Sequence, residues 1–207
     1  MSDRKHGQLT VVAGTMFSGK TDRLIDKAVK LGDYGKKGGR NNVVVVFKPT
    51  IDTRSPAGFI KSETGKQLPC IDIASDKPEN MISYLKDHSD VTHVFIDEAQ
   101  FFPQTKKFVR IIIYILDMGV DVWAAGLPLD FRCEPFGAMP YLLARADIII
   151  QLNEAHCNEC GESGTFPQRL VNSKPANYND QLIVVGGKDS YEVRCRECHE
   201  LPGKPTF

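Results

Sequence analysis

The chain has 207 residues, 42% of them hydrophobic, and its 26 basic and 26 acidic residues balance to a formal net charge of zero. A chain of this length can bury a core without disulfides, and balanced charge gives no long-range attraction to nucleic acid or to an anionic membrane, so we expect neither as a partner. Residues 1–6 are too polar for a secretory signal and the apolar stretch 108–116 is too short to span a bilayer, which predicts a soluble, cytoplasmic protein.

Short apolar runs alternate with amphipathic stretches as far as residue 152. This rhythm is typical of the α/β class with a mainly parallel sheet. The predicted strands cover residues 9–13, 42–47, 93–96, 120–125 and 148–152. The predicted helices begin near Gly19, near Pro78, after Pro103 and near Phe136, and proline suits the first turn of a helix.

Two segments between these elements lack a clear period. Residues 32–42 are rich in glycine and lysine, which predicts an exposed, solvated loop. Residues 50–67 are interpreted as a long mobile connection of the kind that often covers a site.

A phosphate-binding motif follows the first predicted strand. It is the run Gly14-Thr15-Met16-Phe17-Ser18-Gly19-Lys20-Thr21, which fits the pattern G-x-x-x-x-G-K-[ST]. Gly14 and Gly19 permit backbone conformations that turn successive amide groups onto an anion at a helix start. Lys20 then reaches the β- and γ-phosphates, and the Thr21 hydroxyl binds Mg²⁺. The alternative interpretation is a glycine-rich turn that only caps a helix.

Two carboxylates end the predicted strand 93–96. Asp97 is the better magnesium ligand, because a parallel sheet delivers an acid at this place towards a bound nucleotide. Glu98 points differently, since strand side chains alternate, and is free to act as a general base or to position a water. Solvated acids at a strand end are the alternative.

Two C-x-x-C pairs lie in the last quarter of the chain. Cys157, Cys160, Cys195 and Cys198 have spacings that suit two knuckles closing a structural Zn²⁺ site, and a reducing compartment favours metal over disulfides. The sequence therefore predicts a nucleotide-binding α/β domain over residues 1–152 and a smaller zinc-binding domain over residues 153–207.

The order of these motifs resembles thymidine kinases of the cytosolic, zinc-containing type. Besides the phosphate loop and the cysteine pairs, the resemblance rests on Asp97-Glu98-Ala99-Gln100-Phe101-Phe102, Gly126-Leu127, Asp130-Phe131-Arg132 and Glu134-Pro135-Phe136-Gly137. It implies a RecA-like P-loop domain and a zinc-bearing lasso that closes over a nucleoside. The implied activity is transfer of the γ-phosphoryl of ATP to the 5′-hydroxyl of thymidine, with deoxyuridine as a possible second substrate. The family's role in nucleotide salvage for DNA synthesis and its homotetrameric assembly are implied in the same way.

The resemblance also assigns roles to single residues. Glu98 falls where the family has its catalytic base, and Asp52, Arg54 and Gln100 join the ATP and Mg²⁺ site. The residues implied around the nucleoside are Met16, Phe101, Leu127, Phe131, Leu182, Ile183, Val184, Val185, Gly186 and Tyr191. The run that begins at Leu182 matches the part of the lasso whose backbone reads the base, and it equally fits a plain β-strand before a Gly-Gly turn.

This chain departs from the family pattern at several positions. Pro167 replaces an expected threonine near the base, Pro128 and Cys133 stand where aspartate and glycine are common, and residues 62–65 lack a histidine. These positions bear on nucleoside preference. The competing functions are a nucleic-acid-directed ATPase or nucleotide-switched binding protein that uses its zinc knuckles for contact, and a P-loop kinase for another small hydroxyl substrate.

Overall fold

The computed structural model describes residues 5–37, 42–102, 106–183 and 191–206. Its strands are β1 (Leu9–Gly14), β2 (Val44–Pro49), β3 (Phe59–Lys61), β4 (Gln67–Pro69), β5 (Ile71–Ile73), β6 (His93–Ile96), β7 (Asp121–Gly126), β8 (Ile148–Leu152), β9 (Phe166–Val171), β10 (Lys174–Pro175) and β11 (Tyr191–Arg194). Its α-helices are α1 (Lys20–Lys37), α2 (Asn80–Asp87), α3 (Lys106–Asp117) and α4 (Met139–Leu143), and a 3-10 helix covers Ala99–Phe101.

Six strands form a parallel sheet in the order β5-β2-β6-β7-β1-β8. The α/β class with a mainly parallel sheet is therefore confirmed, and the five predicted strands all belong to this sheet. Because the strands run in one direction, the segments that follow β1, β2, β6 and β7 all leave from the same edge. That edge carries the phosphate loop and both candidate carboxylates.

Each face of the sheet carries its own apolar core. Successive strand side chains alternate, so Val11 belongs to one core and Val12 to the other. The core around Val12 includes Leu24 of α1 and Ile60 of β3, whereas α2, α3 and α4 pack on the opposite face. The sheet therefore forms the middle of a three-layer arrangement.

The segment 32–42 differs from the sequence prediction. Helix α1 continues to Lys37, so the predicted exposed loop is wrong over residues 32–37, and residues 38–41 lie outside the described part of the chain. Glycine inside a helix costs about 1 kcal/mol relative to alanine but does not block it, and Gly32 has open space around its Cβ position.

The segment 50–67 also contains structure that its sequence did not reveal. Strands β3 and β4 pair antiparallel, with Ile60 opposite Leu68, and Ile60 is buried. Strands of three residues are too short to show a period of two, which is why the hairpin was missed. The predicted mobility of this connection stays a prediction.

A second sheet follows the first along the chain. It is antiparallel, with the order β10-β9-β11. The buried amide of Gln168 on β9 donates to the Glu200 carbonyl at 2.9 Å and accepts from the Glu200 N–H at 2.8 Å, which fastens the last residues to this sheet. Within the described residues, no helix combines the length and the apolar character that crossing a lipid bilayer requires.

Candidate active site

The phosphate-loop motif lies between β1 and α1. Gly19 has a φ of 82° and Phe17 a φ of 61°, so the loop turns through left-handed backbone that glycine adopts most easily. Inside the loop, the Ser18 hydroxyl donates to the Thr15 carbonyl at 2.8 Å, and Lys20 Nζ donates to the same oxygen at 2.6 Å. These two hydrogen bonds close the loop and hold the Lys20 side chain against the loop backbone.

Lys20 is buried at the base of this loop, with 7% of its surface exposed. Burial lowers the pKa of its ammonium group, although the carboxylates of Glu98 and Asp97 oppose the shift. A buried ammonium is poorly stabilised by water, so a phosphate group entering the loop would gain a strong partner.

Thr21 and Asp97 bring two oxygen ligands together at the end of β6. Thr21 Oγ1 donates to Asp97 Oδ2 at 3.0 Å. Burial, followed by the charge of Glu98, raises the pKa of Asp97 to about 7. A divalent cation would relieve this unfavourable charge, and hard oxygen donors are the ligands that Mg²⁺ prefers, so the pair fits the predicted magnesium site.

Glu98 is held in place on both carboxylate oxygens. Arg54 Nη2 lies 2.5 Å from Glu98 Oε1, and Gln100 Nε2 donates to Oε2. Burial alone would raise the pKa of Glu98, but the charges of Arg54 and Lys20 and the two hydrogen bonds outweigh it and hold this pKa below its usual range. Glu98 is therefore a buried carboxyl group whose charged form its neighbours stabilise.

The backbone at Glu98 is strained. Its φ of 52° is left-handed, which costs a bulky residue on the order of 1 kcal/mol or more, and it turns the chain from β6 into the 3-10 helix. Gln100 completes the arrangement, because its Oε1 accepts from the Leu127 N–H at 3.1 Å. Gly126 allows this approach, since a Cβ there would stand 2.6 Å from Gln100 Oε1.

Two cavities meet at Glu98. A polar cavity of about 340 Å³ is lined by Met16, Phe17, Gly19, Lys20, Thr21, Asp22, Asp52, Arg54, Ser55, Lys61, Ser62, Glu63, Asp97, Glu98 and Leu127. A largely apolar cavity is lined by Met16, Arg54, Glu98, Gln100, Phe101, Leu127, Leu129, Asp130, Phe131, Phe136, Pro167, Leu182, Ile183 and Tyr191. The two cavities share Met16, Arg54, Glu98 and Leu127, so one end of the site suits an anion and the other a flat ring.

The four predicted metal ligands form a separate cluster. The sulfurs of Cys157, Cys160, Cys195 and Cys198 all lie within 4.8 Å of one another, and the Cys160 and Cys195 sulfurs are 3.7 Å apart. Tetrahedral zinc with Zn–S bonds of about 2.3 Å places neighbouring sulfurs about 3.8 Å apart. The donor set and the spacing therefore fit a structural zinc ion.

A family model described as thymidine kinase matches residues 7–199 of the chain. The chain belongs to the thymidine kinase family. The matched region contains the phosphate loop, the paired carboxylates and both cysteine pairs. This match confirms the resemblance to thymidine kinases that the order of the motifs indicated.

Among solved structures, this family member is similar to domain III of the replication initiation protein DnaA from Thermotoga maritima. The sequence identity is 15% and the TM-score is 0.39. The match covers 73% of this chain and 57% of that chain, so this chain spans little more than half the length of that structure.

Most of the predicted nucleotide and nucleoside residues of this thymidine kinase family member lie at the two cavities or in the phosphate loop. Most of those predicted at the ATP site line the polar cavity, whereas Gly14, Thr15 and Ser18 build the loop itself and Gln100 lies at the apolar cavity. Every predicted nucleoside contact within the described residues lines the apolar cavity. Val184, Val185 and Gly186 lie outside the described residues.

Sequence reasoning missed several residues that line the two cavities of this thymidine kinase family member. Asp130 and Phe136 belong to motifs that were noticed but given no role, and Leu129 lies between two of those motifs. Lys61 and Ser62 lie on the hairpin that lacked any periodic signal. Pro167 was not missed, because the sequence placed it near the base as a departure from the family pattern, and it lines the apolar cavity.

Proposed function

We propose that this protein transfers the γ-phosphoryl group of ATP to the 5′-hydroxyl of thymidine, giving ADP and thymidine monophosphate. The observation that carries the proposal is the meeting of a polar cavity, which contains the phosphate loop with Lys20, and an apolar cavity at Glu98 and Arg54. A phosphoryl donor and a nucleoside bound end to end would bring their reacting groups together there. Family membership supports the same activity.

The polar cavity binds and neutralises the phosphates of ATP. Lys20, Arg54 and the loop amides supply positive charge along the triphosphate, and Asp52 orients Arg54 through a contact of 2.7 Å to its Nε. Thr21 and Asp97 would hold Mg²⁺, which would offset the charge of the phosphates.

Glu98 acts as the general base. The 5′-oxygen forms a bond to the γ-phosphorus as the bond to the ADP oxygen breaks, and the hydroxyl proton passes to the Glu98 carboxylate. In the described structure Arg54 contacts Glu98 Oε1. A bound triphosphate would compete for the Arg54 guanidinium, which would leave Oε1 more open to the hydroxyl.

The apolar cavity binds the pyrimidine. Phe101, Phe131 and Tyr191 offer flat surfaces to the ring, and Met16 and Leu127 cover its sides. Leu182 and Ile183 line the same cavity and would contact the base as well. Deoxyuridine differs from thymidine only by the absence of a methyl group. We therefore expect its kcat/KM to be lower than that of thymidine by about 10- to 200-fold at most.

The remaining features complete the proposal. The four cysteines hold a structural zinc ion that joins the two ends of the lasso, and the chain divides into residues 1–152 and residues 153–207. We also propose a homotetramer that works in the cytoplasm in nucleotide salvage, without nucleic acid as a partner.

The test is ADP formation from ATP and Mg²⁺ with thymidine, deoxycytidine or no acceptor. Glu98→Gln keeps the shape of the side chain and removes the base, and the exposed Glu154→Gln is the matched control. We expect thymidine-dependent turnover that falls at least 100-fold in Glu98→Gln and is unchanged in Glu154→Gln. Acceptor-independent or DNA-dependent ATP hydrolysis would favour the ATPase function instead.

A further inference from the structure

A short turn precedes the lasso residues that reach the apolar cavity. It spans residues 177–181, and within it the Asp180 N–H donates to the Asn177 carbonyl at 2.9 Å while Asp180 Oδ2 accepts from the Asn177 N–H at 2.9 Å. The next two residues, Leu182 and Ile183, line the cavity. The position of this turn therefore sets where the lasso meets the nucleoside site.

Two arginines from other parts of the chain hold the end of this turn. Arg132 Nη2 donates to the Asp180 carbonyl at 2.7 Å, and Arg169 Nη1 donates to the Gln181 carbonyl. Arg132 follows β7, and Arg169 lies on β9 with 8% of its surface exposed. Two consecutive carbonyls of this turn are thus held by the loop that follows β7 and by β9.

The same two guanidinium groups pack on Phe131. Their central carbons lie 5.3 Å (Arg132) and 5.4 Å (Arg169) from the centre of its ring, within the range of cation–π attraction. Phe131 is 2% exposed and lines the apolar cavity. One pair of arginines therefore supports both a wall of the cavity and the segment that closes it.

We propose that Arg132 and Arg169 are positioning residues for the nucleoside, holding Phe131 and the lasso turn 180–183 in one arrangement. This inference rests on the proposed thymidine kinase activity. The planar guanidinium suits the task, because it donates to a carbonyl while its face packs on a ring, whereas lysine provides only a point charge. Neither arginine lines the polar cavity or touches the reacting groups.

Loss of either arginine weakens nucleoside binding without changing the chemical step. We expect Arg132→Met and Arg169→Met to raise the KM for thymidine about tenfold, the size of one hydrogen bond to a charged group. The kcat and the KM for ATP stay within about twofold, as for an interaction made equally in ground and transition states. Arg132→Lys keeps one donor and gives an intermediate KM.

Arg196→Met is the matched control. The Arg196 guanidinium lies 4.8 Å from the Phe166 ring, so it packs on an aromatic ring near the same sheet, but it lines neither of the two cavities. We expect its KM for thymidine to equal that of the wild type. Arg132 is only half-buried, so Arg132→Met remains informative if the buried Arg169→Met fails to fold.

Hydrogen exchange in the ligand-free protein separates this inference from the proposed function. Faster exchange of the amides of residues 180–183 in Arg132→Met, together with the higher KM, supports the positioning role. Unchanged exchange, or an unchanged KM in an active enzyme, would overturn it. Wild-type protein without thymidine-dependent turnover refutes the proposed function and with it the nucleoside role, whereas the exchange result still reports whether the arginines hold the turn.

Discussion

At the residue scale, the site concentrates buried charge. Lys20, Asp97 and Glu98 are each less than 8% exposed, and Arg54 bridges Asp52 and Glu98. Such groups lose hydration on folding, and their mutual attraction offsets only part of that loss. The arrangement is useful only when a ligand supplies the missing partners.

This buried charge predicts that Lys20→Met lowers both activity and stability. Methionine fills a similar volume, but it leaves the buried carboxylates of Asp97 and Glu98 without the positive charge that offsets theirs, so we expect a melting temperature below that of the wild type. Removal of the phosphate contact should lower kcat at least 100-fold. Calorimetry and ADP formation on the same preparation measure both effects, and an unchanged or higher melting temperature would contradict the first.

At the scale of elements, the sequence was most informative where a pattern is long or chemically specific. Strand β6 was predicted with its observed bounds because its apolar residues end abruptly at Asp97 and Glu98. The hairpin of β3 and β4 was missed, since its strands are short and its only fully buried side chain is Ile60. The pairing of Arg54 with Glu98 was also beyond reach, because it joins residues from separate segments of the sheet edge.

The hairpin offers a comparison between apolar and ionic attachment to α1. Ile60 is 1% exposed in the core with Val12 and Phe95, whereas Lys66 pairs with Asp26 at 2.7 Å on the open surface. We expect Ile60→Ala to cost about 2–5 kcal/mol in the free energy of unfolding. Lys66→Ala should leave the denaturation midpoint nearly unchanged, because exposed ion pairs contribute little. Urea denaturation of both variants measures the two effects. A larger loss of stability in Lys66→Ala than in Ile60→Ala would contradict this prediction.

At the scale of the whole molecule, the site is assembled from two differently built parts. The parallel sheet holds the phosphate loop and the acids, and the small antiparallel sheet brings Tyr191 to the apolar cavity. The cysteine motif predicted the chemistry of the second part. It did not predict the small sheet, whose strand β10 has only two residues and whose pairing depends on contacts distant in sequence.

This division predicts a selective effect of metal removal. We expect about one zinc ion per chain, as four thiolates complete one tetrahedral site. Cys160→Ser or a strong chelator should weaken thymidine binding at least tenfold and leave ATP binding to the phosphate loop within about twofold, because the loop is anchored in the other sheet. Elemental analysis and calorimetric titration with each ligand provide the measurements. An equal loss of affinity for thymidine and for ATP would show that the two parts are not independent.

The left-handed backbone at Glu98 has an evolutionary consequence. A glycine at this position would relieve the torsional strain, but it would leave the Arg54 and Gln100 side chains without the carboxylate that they contact. Under selection for heat resistance alone, we therefore expect Glu98 to be replaced only together with a change at Arg54. Retention of the unaltered pair would indicate selection for another property of this site.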